Sequence, residues 1–277
     1  MKVRFFDRRV FGIFLKVSSG ISTGLSTALL FIDIPQKYKI WAFIAFLLTL
    51  LVIYATIWKI SNSLKSVNIK IEGTNVSVKA GDIFEQPGFK AIAFNEYFDT
   101  LVDDRLISRA SLNGIFIESH LDTSVEKLDQ EISSFPFDED EVLGVNSDRT
   151  SGKKQKYRLG TIFVHGDYLL AAMSKFDSSN RATLTMPEYL EFLIQFWDGV
   201  NRVYAQKSVS TPIFGSGITR IKGHKDIGDE DLLKIMLWTF RVSEMRFKYP
   251  AKLSIIIHRE KIDQINLLDI KSLKNGV

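Results

Sequence analysis

Hydrophobic and polar positions change their rhythm near residue 60. From Val10 to Ile34 the residues are apolar or small apart from Lys16 and Asp33, and from Ile40 to Trp58 a run of about 19 residues carries no charge. At about 1.5 Å per residue the second run spans roughly 30 Å, the hydrocarbon thickness of a bilayer, and predicts a transmembrane helix. The first run is rich in Ser, Thr and Gly between Ser18 and Thr27, small residues that let helices approach closely in lipid. With Pro35-Gln36-Lys37-Tyr38-Lys39 as a polar break, residues 1–60 read as a transmembrane hairpin with helices at about 10–34 and 40–58; an interfacial or buried amphipathic helix is the other reading of the first run. Gly20 and Gly24 form a small-x-x-x-small pair that serves either an oligomer face or packing within the hairpin.

Beyond Val67 the period becomes two. Val67–Ile71 and Val76–Lys79 alternate about a turn at Glu72-Gly73-Thr74-Asn75, which predicts a β-hairpin closed by Gly81-Asp82-Ile83-Phe84. Ala91-Ile92-Ala93-Phe94 is a continuous apolar run, as for a strand buried on both faces, and it stops at Asn95-Glu96-Tyr97-Phe98-Asp99-Thr100. Asp103 and Asp104 are read as starting a helix through Arg109, and Thr123 with Glu126 as capping another to Ser133. Phe137 to Tyr157 shows little periodicity and reads as a long surface excursion. Thr161–Val164 and Tyr168–Met173 predict a second hairpin. After Thr185, Pro187 and Glu188 open a helix with Leu190, Leu193, Ile194, Trp197, Val200 and Tyr204 on one face; a further helix runs from about Asp229 to Met245 with Leu232, Leu233, Met236, Leu237 and Phe240 inward, and Leu253–Ile257 forms a last strand.

Composition narrows the chemistry. The 277 residues carry 36 basic and 32 acidic side chains, with no basic stripe interleaved with aromatics, so no nucleic-acid partner is expected. The absence of cysteine excludes disulfides, a thiolate nucleophile and Cys-ligated zinc. The four histidines stand at no metal-ligand spacing, and of these His165 and His224 are the pocket candidates. No metal or cofactor is expected, and no nucleophile–base–acid set stands out, so the chain reads as a non-enzyme.

The candidate chemistry lies in Val209 to Ile218, a β-branched run that breaks into Pro212 and then Gly215-Ser216-Gly217. Glycines after a strand let a phosphate approach backbone N–H groups closely. The spacing matches neither the Walker loop nor G-x-G-x-x-G. Taken in order, the strand before Gly81-Asp82-Ile83, the buried strand before Asn95, and the strand before Pro212-x-x-Gly215-Ser216-Gly217-Ile218 resemble the macro domain over roughly Val67 to His258. The hairpin in front of such a domain resembles, more narrowly, the membrane-anchored macro-domain effectors of the bacterial Thoeris antiphage system.

This resemblance implies a three-layer α/β/α sandwich with a mixed sheet over residues 67–277. It implies ADP-ribose-type ligands, with Asp82 and Ile83 at the adenine, Asn95 near the distal ribose, and Pro212, Phe214, Gly215, Ser216, Gly217 and Ile218 around the diphosphate. Macro-domain hydrolases carry a glycine-rich first ligand loop, which is absent here. Glu96 and Asp99 are therefore expected to reshape the pocket for a larger or cationic distal group. The resemblance further implies a TIR-domain partner enzyme that makes the messenger from NAD, then homo-oligomeric assembly in the lipid bilayer, membrane disruption and abortive infection; the messenger associated with this branch is histidine–ADP-ribose. The competing classes are a membrane-tethered ADP-ribosyl hydrolase or phosphatase and a constitutive membrane-organising protein.

Lys2, Arg4, Arg8 and Arg9 before the first run, and Lys59, Lys65 and Lys70 after the second, place both flanks in the cytoplasm by the positive-inside rule, in a multi-pass protein of the bacterial inner membrane. Reporter fusions within residues 35–39 and after Ser66 are expected to report opposite sides of the membrane; the same side for both removes the hairpin.

Overall fold

The structure, a computed structural model, describes residues 3–177, 181–217, 220–224, 226–243, 246–248 and 250–273. Residues 3–67 together with 263–272 form one compact unit, and residues 68–262 form another.

The first unit is helical. Helix α1 spans Arg8–Leu29, capped by Asp7, whose Oδ1 accepts from Arg9 N at 2.8 Å; helix α2 spans Gln36–Asn62. The expected polar break is shorter than Pro35–Lys39, because Pro35 occupies the N-cap of α2 and Gln36 to Lys39 are already helical. Proline disfavours helix in the residue before it and is well suited to a helix start, so the chain re-enters helix immediately. Among the described residues one helix, α2, is long and apolar enough to cross a membrane. In α1 the hydroxyls of Ser18, Ser19 and Thr27 donate to the carbonyls of Leu15, Lys16 and Thr23, which satisfies them without water.

The two helices are joined at one end by a small core of Val3, Val10 and Leu268 packed against Tyr54, Ile57 and Trp58. Trp58 Nε1 donates to the carbonyl of Val3 at 3.0 Å, and the Tyr54 hydroxyl donates to that of Phe5. Leu268 comes from helix α7, Leu267–Ser272. Arg9 pairs with Asp269, and its Nε donates to Ser272 Oγ at 3.0 Å. Residues 263–272 thus cluster with the helices, where the sequence pattern groups residues 67–277 as one domain.

The second unit is built on strands β1 (Ser66–Ile71), β2 (Thr74–Ala80), β3 (Phe89–Asn95), β6 (Ile162–His165), β7 (Tyr168–Phe176), β8 (Ala182–Leu184), β9 (Val209–Pro212), β10 (Arg220–Ile221) and β11 (Leu253–Ile257); β4 (Val142–Val145) and β5 (Gln155–Tyr157) form a separate ribbon. The main sheet runs β1-β2-β11-β9-β3-β7-β8-β10, with β6 on β7. β2, β11, β9, β3 and β7 are mutually parallel, whereas β6 and β8 run antiparallel to β7, so the sheet is mixed. One face of β3 and β7, with Ile92, Phe94, Leu170 and Ala172, packs on Phe116, Leu128 and Ile132. These come from the short helix α3 (Leu112–Ile115) with its π-helical continuation Phe116–His120, and from α4 (Val125–Ser134). Ala91, Leu169 and Ala171 point to the opposite face by the period of two and are equally buried, and α5 (Met186–Val203) packs against β6 and β7. Helix α6 (Asp229–Val242) packs on α5 and buries Leu232, Leu233, Met236, Leu237 and Phe240, the inward set the period assigned to it.

Several local expectations are corrected. Asp103 starts no helix: its Oδ1 accepts from Arg105 N and Leu106 N, and Asp104 takes a left-handed φ of 60°, so the carboxylate folds a turn instead. The cap of α4 is Ser124, which accepts from Lys127 N, not Thr123. On α5 the buried stripe is Tyr189, Phe192, Leu193, Phe196, Trp197 and Val200, while Ile194 is exposed. The Phe137–Tyr157 excursion holds the β4–β5 ribbon.

Thr185 and Glu188 form the expected capping box on α5. Burial alone would raise the Glu188 carboxyl, but the Lys175 ammonium and the N–H and O–H of Thr185 outweigh it and hold it down to about 2. A carboxylate depressed on folding stabilises above its ordinary value of 4.5 and loses that contribution as pH falls toward about 2. For so partly exposed a pair the contribution is about 0.5–1 kcal/mol, or roughly 1–4 °C in Tm. Glu188→Gln is therefore expected to melt lower than wild type by about that amount at pH 7, with the gap closing between pH 4.5 and about 2 in a series of melting curves.

Candidate functional site

Five parallel strands end side by side. Ala80 of β2 pairs with Ile257 of β11, Pro212 of β9 with Ile256, and Asn95 of β3 with Ser174 of β7. Beyond these carboxyl ends the ladders stop and the loops diverge, leaving a cavity of about 1010 Å³. It is lined by Gly81, Asp82 and Ile83 after β2, by Asn95 after β3, and by Pro212 to Gly217 after β9. The sequence had marked these residues separately. Ile218 lies outside the described residues.

Each wall has a local cause. Asp82 is exposed, and its Oδ1 accepts from Phe84 N at 2.9 Å, which turns the chain out of β2 and leaves the carboxylate at the cavity. Ile83 is buried. In the glycine loop, Gly215 has a φ of 82°, a conformation that favours glycine, and a Cβ built on Gly217 would meet nothing within 4 Å. The loop is anchored from below. Phe214 is buried against Phe192 and Phe196, the Tyr189 hydroxyl donates to the Phe214 carbonyl at 2.8 Å, and Phe214 N donates to Met236 Sδ at 3.3 Å. Burial, with the Asp229 charge as a second cause, pushes the Tyr189 phenol up, so it stays a neutral donor.

The loop after β3 departs from expectation. All of Asn95 to Thr100 is buried, and neither Glu96 nor Asp99 lines the cavity. Asp99 accepts from Arg149 Nη2 at 2.6 Å and Nη1 at 3.0 Å, from Lys153 N at 2.7 Å and from Asn95 Nδ2 at 2.9 Å. Arg149 also lies 3.9 Å from the centroid of the Tyr97 ring. Glu96 sits 3.3 Å from Lys156 and accepts from Phe176 N; burial raises its carboxyl, and Lys156 opposes this. A buried carboxylate needs a charged or hydrogen-bonding partner, and the 146–157 excursion supplies both. Asn95 lines the cavity, but its Oδ1 accepts from Tyr97 N and Asp99 N, so much of its hydrogen bonding shapes the loop.

The remaining wall escaped the sequence reading. Residues 104–108 and 110–113 form it, with Arg105, Arg181, Lys222 and Lys261 as lining cations and Asp104, Asp177 and Asp229 as lining anions. Arg105 falls in a stretch read as helix, and Lys261 in a charged tail without periodicity, so no pattern pointed to either. Of the histidines, His258 lines the cavity, whereas His224 is exposed away from it. His165 is held by Glu131 and Asp122, each at 2.9 Å. Among the described residues no group of His, Asp and Glu is arranged to hold a metal ion.

Parallel strand ends that converge on an acidic residue after one strand and a glycine loop after another define the class, a macro-type α/β module. A model of the Thoeris protein ThsA macro domain matches residues 76–258. A Thoeris protein ThsA from Bacillus amyloliquefaciens (strain Y2) is 36% identical over 274 residues, covering 95% of this chain and 89% of its own. Two solved Oceanobacillus iheyensis macrodomains, a mutant and a form with ADP, align with TM-scores of 0.46 and 0.45 at 13% and 12% identity, covering 74% of this chain and 92% and 94% of theirs. The chain belongs to the ThsA macro-domain family of Thoeris proteins.

If the role of Asp99 is to clamp Arg149, Asp99→Asn leaves a buried cation uncompensated and is expected to cost about 3–5 kcal/mol in urea unfolding. A ligand-contacting Asp99 would instead leave stability unchanged.

Proposed function

We propose that this chain is a non-enzymatic receptor for an ADP-ribose-type nucleotide, anchored in the bacterial inner membrane by α1 and α2 as a two-span hairpin. The observation that carries the reading is the cavity itself, where Asp82 at one strand end and Gly215–Gly217 at another share one concavity large enough for a dinucleotide-sized ligand. A carboxylate accepts from an exocyclic amine of adenine, and a glycine loop admits phosphate oxygens to backbone N–H groups. The loop after β3, buried and without glycine, supports binding over hydrolysis, because it offers no open backbone to a reacting distal ribose.

In this reading a TIR-domain partner makes the messenger from NAD, a histidine conjugate of ADP-ribose. Two helices are too few to line a pore, so membrane disruption requires several chains. Ligand promotes that assembly only by binding the assembled state more tightly than the resting one. Cell death by membrane disruption would then stop the phage.

Calorimetry on the full chain in detergent, with ADP-ribose as probe, tests the receptor. Asp82→Ala is expected to weaken binding about tenfold, the lower end for an exposed charged hydrogen bond. Gly217→Leu is expected to abolish binding with Tm unchanged, since a Cβ there meets nothing within 4 Å. Recovery of cleaved ADP-ribose would overturn the receptor in favour of a hydrolase, and unchanged affinity in both variants would remove the site.

A further inference from the structure

Lys261 reaches the glycine loop from β11's far side of the sequence. Its Nζ donates to the Ser216 carbonyl and to Ser216 Oγ at 3.2 Å, and lies 3.1 Å from Asp229 Oδ2. All three residues line the cavity. The ammonium thus gives two hydrogens to the residue between the loop glycines and faces the carboxylate of the first residue of α6 as an ion pair. Asp229 Oδ2 is buried and accepts no hydrogen bond among the described residues, so Lys261 meets it as an ion pair alone.

We infer that Lys261 is an anion-binding residue of this cavity, and that a phosphate seated on Gly215–Gly217 takes the place of Asp229 on its ammonium. The inference rests on the receptor reading above and specifies how that site responds to its ligand. A phosphate oxygen at the loop comes within reach of an ammonium already bonded twice to Ser216, and takes the hydrogen that Asp229 does not. The partner given up is Asp229, because phosphate and carboxylate repel each other in a partly dry cavity. Asp229 tolerates the loss: it stands in the first turn of a 14-residue helix, where unpaired N–H groups and the helix dipole stabilise a carboxylate. A lysine on a flexible four-carbon stem can make the exchange where a rigid guanidinium fork would not.

Chain connectivity gives the exchange a consequence. Residues 256–258 and 261 line the cavity, and the chain runs from Lys261 through the short 3₁₀ turn Ile262–Gln264 into α7. Within the helical unit α7 holds Arg9 at the start of α1 through Asp269 and Ser272. Lys261 is therefore the lining side chain nearest in sequence to the helical unit, and movement of its backbone on phosphate binding is passed covalently to the segment that clamps α1.

The test uses the full chain in detergent with ADP-ribose and, as a phosphate-free control, adenosine. Lys261→Met is expected to weaken ADP-ribose about tenfold and leave adenosine unchanged. Asp229→Asn removes the competitor and is expected to tighten ADP-ribose several-fold, a change of sign that simple damage to the fold would not produce. Hydrogen exchange over residues 258–272 is expected to change with saturating ADP-ribose in wild type and not in Lys261→Met. Equal loss of both ligands in Lys261→Met, unchanged ADP-ribose affinity, weaker binding in Asp229→Asn, or exchange indifferent to ADP-ribose in wild type would each overturn the inference while leaving the receptor standing. Wild type that binds neither ligand would bring down both.

Discussion

The alignment of five parallel strands to a common edge is the constraint on which the α/β unit depends. Backbone N–H and C=O groups are paired within the sheet as far as Ala80, Ile257, Pro212 and Asn95, and beyond that line each chain must turn and find other partners. The turns are therefore made by residues that fold the backbone on themselves. Asp82 accepts from Phe84 N, Asn95 accepts from Tyr97 N and Asp99 N, and Gly215 takes a positive φ. Their divergence opens the cavity, so the residues that make the turns also line it.

The loop after β3 illustrates how burial decides the use of a charge. Asp99 is nearly inaccessible, and an ionised carboxylate in that position is stable only with Arg149 and the surrounding donors in place. This ties the 146–153 stretch to the strand end and makes what resembled a free surface excursion part of the support for the site. Gly152 is held to the same purpose: with φ at 83°, a Cβ there would stand 2.6 Å from Asp99 Oδ1. The cavity's electrostatics come instead from Arg105, Arg181, Lys222 and Lys261 set against Asp82, Asp104, Asp177 and Asp229. Such a mixed lining suits a ligand that carries both anionic phosphates and polar donors.

The helical unit follows a different economy. In α2 the side chains that would face lipid are apolar and the backbone satisfies itself, which is what a spanning helix requires. The polar contacts collect near one end, around Val3, Tyr54, Trp58, Asn62, Arg9 and Asp269. That end is where α7, Leu267–Ser272, is fastened, through Leu268 and Asp269.

Periodicity and turn chemistry determined much of this protein by themselves, because they act between neighbours in the chain. The uncharged run of α2, the capping box of Thr185 and Glu188, the inward face of α6, and the three separated markers Asp82, Asn95 and Gly215-Ser216-Gly217 are all legible as local patterns. Tertiary structure decided what those patterns share and which charges line the cavity. Asp99 was withdrawn from the site by Arg149, 50 residues away, and Lys261 was brought to Ser216 across 45 residues. Neither pairing has a period or a motif, since an ion pair is selected by distance in space and by burial, and both arise only when the sheet has closed.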